Sequence, residues 1–135
     1  MADGTVTTTG LSELQRAVEK LPVAVEQASL RVARETGYRV AARARGRVPR
    51  GPDPRQRGGQ HTMDSIVVLV DAAKKEVRVE VGTGVEPPML PVWIEHGTLF
   101  MLARPFLRPA LDAEDAQYRA DLERETADAA AEVLT

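Results

Sequence analysis

The side chains that could carry out catalysis in this chain are few. His61 and His96 are its two histidines, and it contains no cysteine. A metal pair on a helix needs a spacing of three or four residues, whereas Glu95 and His96 are adjacent. His61, Asp64 and Ser65 lie close in sequence, but no nucleophile elbow or oxyanion-hole motif accompanies them. The inventory predicts no catalytic, cofactor-binding or metal-binding residues, and therefore a protein that is not an enzyme.

The arginines of the first half are a second chemical group, because guanidinium groups bind phosphates without a deep pocket. The basic region runs from Arg31 to Arg57, and the stretch after Asp112 is mainly acidic. This division favours non-specific nucleic-acid contact, pairing of opposite ends within or across subunits, or two solvated helix faces. The candidate inter-subunit or DNA-facing residues are Arg39, Arg43, Arg45, Arg47, Arg50, Arg55 and Arg57. Without interleaved aromatic residues for base stacking, sequence-specific binding is not predicted.

A third group lies between Trp93 and Leu111, where turn residues and prolines follow one another closely. Gly97 and Thr98 predict a sharp reversal of the chain. The carboxylate of Glu95, just before them, can accept hydrogen bonds from backbone amides or pair with an arginine such as Arg104. The following Arg-Pro-Phe-Leu-Arg-Pro predicts a buried Phe106 and a helix with Pro109 at its first position. An ordinary loop with a buried tryptophan and an exposed glutamate is the alternative. The predicted fold and interface anchors are Trp93, Glu95, Gly97, Thr98, Arg104, Pro105, Phe106, Leu107 and Pro109.

The elements that position these residues predict an α+β fold. Apolar residues spaced by three and four from Leu11 to Val32 indicate a long N-terminal helix, broken near Pro22 and ending near Arg47. An apolar run at 65–70 and alternation at 76–81 predict a small antiparallel β-sheet. Residues 112–134 are predicted to form a C-terminal helix that packs with the first helix on one face of the sheet. The other face or a free edge would then be open to a neighbour.

The chain length of 135 residues predicts a single domain over residues 11–135. Residues 1–10 are predicted to be a flexible N-terminal arm, and residues 50–62 a basic loop. The absence of cysteine fits a reducing cytoplasm. No apolar run approaches a membrane span and no signal peptide opens the chain, so neither membrane insertion nor secretion by that route is expected.

Two stretches of this sequence resemble the tail-component family of long-tailed bacteriophages, which includes head-to-tail joining, tail-completion and tail-terminator proteins. The first stretch is Trp93, then Glu95-His96-Gly97-Thr98, then Arg104-Pro105-Phe106-Leu107-Arg108-Pro109-Ala110. The second is Ala44-Arg45-Gly46-Arg47-Val48-Pro49, followed by Ser65-Ile66. Together they extend the resemblance over roughly Leu11 to Leu134.

The resemblance implies a structural virion protein of the phage neck, assembled in the cytoplasm of a host bacterium. Such a protein is expected to form a hexameric ring that binds the tail tube protein and a head-proximal connector or stopper protein, with DNA passing through its lumen. The charge division suggests that the basic helix of one subunit meets the acidic helix of the next. The alternative function is a non-specific DNA-binding protein that uses Arg31 to Arg57.

Overall fold

The computed structural model describes residues 11–51 and 58–135 of the chain. Helix α1 (Leu11–Arg47) is followed by a short 3₁₀ helix (Thr62–Ser65) and a hairpin of strands β1 (Val67–Asp71) and β2 (Glu76–Glu80). Helices α2 (Leu90–His96) and α3 (Leu107–Leu134) complete the order. The fold is α+β, as predicted. The predicted arm at 1–10 lies outside the described residues, as do residues 52–57 of the predicted basic loop.

Helix α1 continues through Pro22 for 37 residues, so the predicted break is wrong. Proline has no N–H and removes one hydrogen bond to the carbonyl four residues earlier. The final turn of α3 lies beside this part of α1, since Val133 shares a surface groove with Lys20, Val23 and Ala24. We attribute the continuity to this tertiary packing, which supports the turns on both sides of the proline.

The predicted apolar stripe of α1 is buried from Ala28 onward and exposed near the beginning of the helix. Ala28 and Val32 are 1% and 2% exposed, whereas Leu14 and Val18 are 53% and 52% exposed. The helix ends at Arg47, as its sequence predicted, because Pro49 follows closely. The first half of α1 therefore presents apolar surface that the described chain does not cover.

The hairpin confirms the predicted antiparallel pairing. Val67 pairs with Glu80, and Asp71 pairs with Glu76 at the turn end of the strands. The Asp71 carboxylate accepts a hydrogen bond from the Lys74 amide at 3.0 Å, which closes the turn. Because side chains alternate along a strand, the inner face carries four valines, Val68, Val70, Val77 and Val79.

The core lies where the C-terminal half of α1 meets the hairpin, α2 and the beginning of α3. Phe106, Ile66 and Leu90 are its largest fully buried side chains. Gly37 brings α1 close to the inner hairpin face, since a Cβ there would lie 3.0 Å from Cγ1 of Val77. The buried members of this core are Val40, Ala41, Ala44, Val48, Ile66, Val85, Leu90, Ile94, Phe106 and Ala110.

Two local expectations after the hairpin are corrected. Residues 90–96 form helix α2, an element that the sequence did not predict. Pro91 occupies its first turn, where a missing N–H costs no helical bond. Helix α3 begins at Leu107, so Pro109 is its third residue and not its first. The first turn tolerates proline at that position for the same reason.

Helix α3 packs along α1, as predicted, and α1 packs on the hairpin. An open groove with a volume of about 350 Å³ lies between α1, strand β2 and the first turns of α3. We call it the α1–β2–α3 groove. Its lining residues are Ala33, Thr36, Gly37, Val40, Val77, Val79, Leu107, Leu111, Glu114, Asp115 and Tyr118. The groove separates the first turns of α3 from β2.

Candidate functional site

The Glu95 carboxylate, at the end of α2, caps the N-terminus of α3. Its Oε2 atom accepts the amide hydrogens of Phe106 at 2.7 Å and Leu107 at 2.9 Å, and its Oε1 accepts that of Arg108 at 2.8 Å. These amides have no carbonyl partner within the helix, and a negative charge there also suits the helix dipole. Of the two predicted roles for Glu95, the structure shows the binding of backbone amides.

The position of Arg104 agrees with this role of Glu95. Its guanidinium group is exposed and makes no ion pair with Glu95. Its backbone amide donates to the carbonyl of Ile94 at 2.7 Å, which ties the chain before α3 to helix α2. Arg104 therefore contributes to the junction through its backbone and leaves its charge in solvent.

Burial raises the pKa of Glu95, but the hydrogen bonds from the amides of Leu107, Phe106 and Arg108 outweigh it, so the pKa lies below its ordinary value. A carboxylate with a lowered pKa stabilises the fold at pH values above about 4.3, its ordinary pKa. This contribution is lost as the pH falls from there through the lowered pKa of the folded state.

We expect Glu95→Gln to lower the free energy of unfolding by about 1 to 3 kcal/mol at neutral pH, through loss of a charged cap and its dipole interaction. Urea unfolding followed by circular dichroism between pH 7 and pH 3 measures this. The difference from the native chain should shrink as the pH falls. The exposed Glu123→Gln serves as the control, and an equal effect of both substitutions would contradict the capping role.

Gly97 ends α2 in a conformation with φ 77° and ψ 173°, a region that essentially only glycine occupies. Its amide donates to the carbonyl of Trp93 at 2.7 Å. The reversal continues through Thr98, whose amide donates to the carbonyl of Met101 at 2.8 Å. The Thr98 hydroxyl oxygen also accepts the amide hydrogen of Phe100 at 3.2 Å, so the threonine closes the turn.

This turn carries an apolar tip, which we define as Leu99, Phe100 and Leu102. These side chains are 97%, 86% and 87% exposed. The turn was predicted from the sequence, but the tip was not. The run Leu-Phe-Met-Leu directly after a Gly-Thr turn was the signal that could have revealed it, since such a short loop cannot bury four large apolar side chains.

The other predicted fold anchors differ in burial. Phe106 is 1% exposed, as the sequence predicted for it, and Leu107 and Trp93 are half-buried and pack against the same core. Pro105 is exposed, and Pro109 is half-buried in the first turn of α3. The structure thus gathers Trp93, Glu95 and Phe106 at one junction that supports the tip.

The basic and acidic halves of the chain meet within one subunit. Arg39 donates to Glu114 at 3.0 Å and to Asp121 at 3.1 Å, and Arg43 donates to Glu114 at 2.6 Å. Glu114 is 4% exposed, so its charge depends on these partners. The hydrogen bond from Arg43 is the main cause of a lowered pKa at Glu114, and the bond to Glu114 raises the pKa of Arg39.

The sequence left open whether the basic and acidic ends pair within or across subunits. Arg39 and Arg43 pair within the subunit. Arg45 donates to the carbonyl of Ile66 at 2.7 Å and joins α1 to the start of the hairpin. Arg47 and Arg50 are exposed. The other two candidates, Arg55 and Arg57, lie outside the described residues.

His61 caps the short 3₁₀ helix. Its Nδ1 accepts the Met63 amide hydrogen at 3.1 Å, while Nε2 lies 2.8 Å from the carbonyl of Gly51. These two contacts agree with one tautomer, in which Nε2 carries the proton. Within residues 11–51 and 58–135, no cluster of three or more His, Asp or Glu side chains could hold a metal ion.

No protein-family model, curated protein or solved structure matches this chain. In the part of the chain that the structure describes, no helix combines the length and the apolar character needed to cross a membrane.

Proposed function

We propose that this protein is a structural subunit of the neck of a long-tailed bacteriophage. It forms a ring, a hexamer by the family resemblance, that completes or terminates the tail tube and joins it to the head connector. The main support for the proposal is the apolar tip, whose Phe100 is 86% exposed on a turn that is fixed at both ends. Exposed apolar surface on a rigid support is typical of a protein that functions in contact with others.

The residues that carry the resemblance are those that build this support. Glu95 fixes the start of α3, Gly97 permits the reversal and Phe106 anchors the returning chain in the core. Their shared task is to hold a surface loop, which favours assembly over catalysis.

The first half of α1 offers a second uncovered surface. Leu14 and Val18 share one face of this amphipathic helix, and each is more than half exposed. A ring subunit of a neck needs contacts with its own copies and with proteins above and below. Two separate apolar surfaces on one small domain fit that requirement.

The arrangement of the arginines disfavours DNA binding as the main function. Arg39, Arg43 and Arg45 bind protein groups of the same subunit, and Arg31 pairs with Glu125 at 3.1 Å. A duplex would have to compete with these partners for the guanidinium groups. Exposed positions such as Arg47 remain able to lie near DNA that passes through a lumen.

Immunogold electron microscopy of particles released by the strain that carries this gene tests the proposal. We expect label at the junction of head and tail, and we expect deletion of the gene to yield full heads and tails that do not join. Unlabelled particles, or normal particles after deletion, would contradict it. A titration with labelled duplex DNA tests the alternative, which requires an affinity that falls steeply with salt.

A further inference from the structure

The apolar tip is preorganised for docking. The backbones of Thr98 and Met101 pair on both sides of Leu99 and Phe100, at 2.8 and 3.4 Å, and beyond Leu102 the Arg104 amide binds the carbonyl of Ile94 at 2.7 Å. Its Phe100 side chain can bury roughly 150 to 250 Å² on a partner. Since the turn is already ordered, binding loses little conformational freedom.

The α1–β2–α3 groove on the same chain is a suitable receptor for this tip. Its walls are mainly apolar, with Val40, Val79, Leu111 and Tyr118 among them, and it is open to solvent. Its volume of about 350 Å³ lies within the range of pockets that enclose small apolar groups. No described side chain of the subunit fills it.

The tip does not occupy the groove of its own subunit. It lies at the C-terminal end of α1, where Leu102 and Met101 line a small cleft with Pro49. The groove is lined by α1 residues from Ala33 to Val40, at least nine residues earlier in the chain. At 1.5 Å per helical residue the separation is on the order of 12 Å or more.

The charges beside the two surfaces are complementary. Arg104, which follows the tip, is exposed and forms no ion pair among the described residues. Asp115, on the groove, is paired with Arg119 at 3.2 Å, but these side chains are 56% and 78% exposed. An exposed pair of this kind contributes little stability and can exchange partners. A tip that enters the groove would bring a cation toward this acidic side.

We propose that the apolar tip of one subunit inserts into the α1–β2–α3 groove of a second copy of this chain. The contact joins two different surfaces, so it is heterologous and repeats from copy to copy until the rotation closes a ring. This inference rests on the proposed ring function and names the contact that builds it.

Site-directed crosslinking tests this contact, because the native chain has no cysteine. The double variant Leu99→Cys/Leu111→Cys places one thiol on the tip and one on the groove, and leaves Phe100 in place. With a short bismaleimide crosslinker we expect a ladder of oligomers on a denaturing gel. The control is Leu99→Cys/Leu69→Cys, since Leu69 lies on the outer face of the hairpin and is 41% exposed, close to the 49% of Leu111.

A second variant, Phe100→Asp, separates lost association from lost folding. Because Phe100 is 86% exposed, the melting temperature should stay unchanged when it is measured at a concentration where both proteins are monomeric. Self-association measured by sedimentation should weaken by about thirtyfold, the effect typical of an interface hot spot. Unchanged association, or equal crosslinking in the Leu69 control, would overturn the contact.

The outcomes for contact and function are distinguishable. Rings or neck labelling without the Leu99–Leu111 crosslink overturn the contact but leave the neck function standing. A crosslink from the tip to a different protein in the particle likewise overturns the contact and leaves the function standing. The absence of label from particles contradicts the function itself, whatever the purified chain does.

Discussion

Replacing Phe106 with alanine is expected to lower the free energy of unfolding by about 3 to 5 kcal/mol. The side chain is 1% exposed and lies in the core with Ile66, Leu90 and Ala110. Aromatic residues make up only 4% of the chain, so few other side chains could fill the space. Since small domains have a total stability of about 5 to 15 kcal/mol, the loss would be a large fraction.

Chemical denaturation followed by tryptophan fluorescence measures this loss, because Trp93 is the only tryptophan and packs against the same core. Phe100→Ala is the matched control: the same substitution at a side chain that is 86% exposed. It should change the stability of the monomer by no more than about 0.5 kcal/mol. Similar losses for both variants would show that burial does not distinguish the two phenylalanines.

Replacing Gly97 with alanine is expected to cost about 3 kcal/mol or more. The backbone conformation at φ 77° and ψ 173° already costs any other residue roughly 1 to 3 kcal/mol. A Cβ atom would also lie 2.8 Å from the amide nitrogen of Ala103 and 2.9 Å from the carbonyl oxygen of Met101. Both are backbone atoms of the returning turn, so the turn itself would have to move.

Gly46→Ala is the control for this substitution. Gly46 lies in α1, and nothing stands within 4 Å of the position of its Cβ. Alanine should therefore raise the free energy of unfolding by about 0.5 kcal/mol, through its higher helix propensity. Urea unfolding of both variants checks the pair. A Gly97→Ala protein as stable as the native chain would refute the requirement for glycine at the turn.

The Gly97 variant also bears on assembly. Under the proposed contact between copies, displacement of the returning turn would move Leu99 and Phe100 relative to the groove of the second copy. Association should then weaken even in the fraction of molecules that remain folded. This effect distinguishes the Gly97 variant from the Phe106 variant. Phe106 supports the tip only through the stability of the core.

Elements with simple periodicity followed from local chemistry in the sequence. Alternating valines and a polar turn were enough to place the hairpin, and Pro49 was enough to end α1 near Arg47. Within the junction, the burial of Phe106 and a tight reversal at Gly97 followed from residue types alone. These features depend on neighbours in the chain, which a sequence displays directly.

Other features depend on long-range packing. Three of them depend on which distant segments meet. They are the continuity of α1 through Pro22, the binding of backbone amides by Glu95 in place of an arginine, and the pairing of Arg39 with Glu114. Exposure of the tip is of the same kind, because an apolar side chain is buried only if another element reaches it. Residue order was thus sufficient for the local elements and their turns. The tertiary structure decided which charges pair within the subunit and which apolar side chains stay exposed. Both depend on the relative placement of α1, α2 and α3.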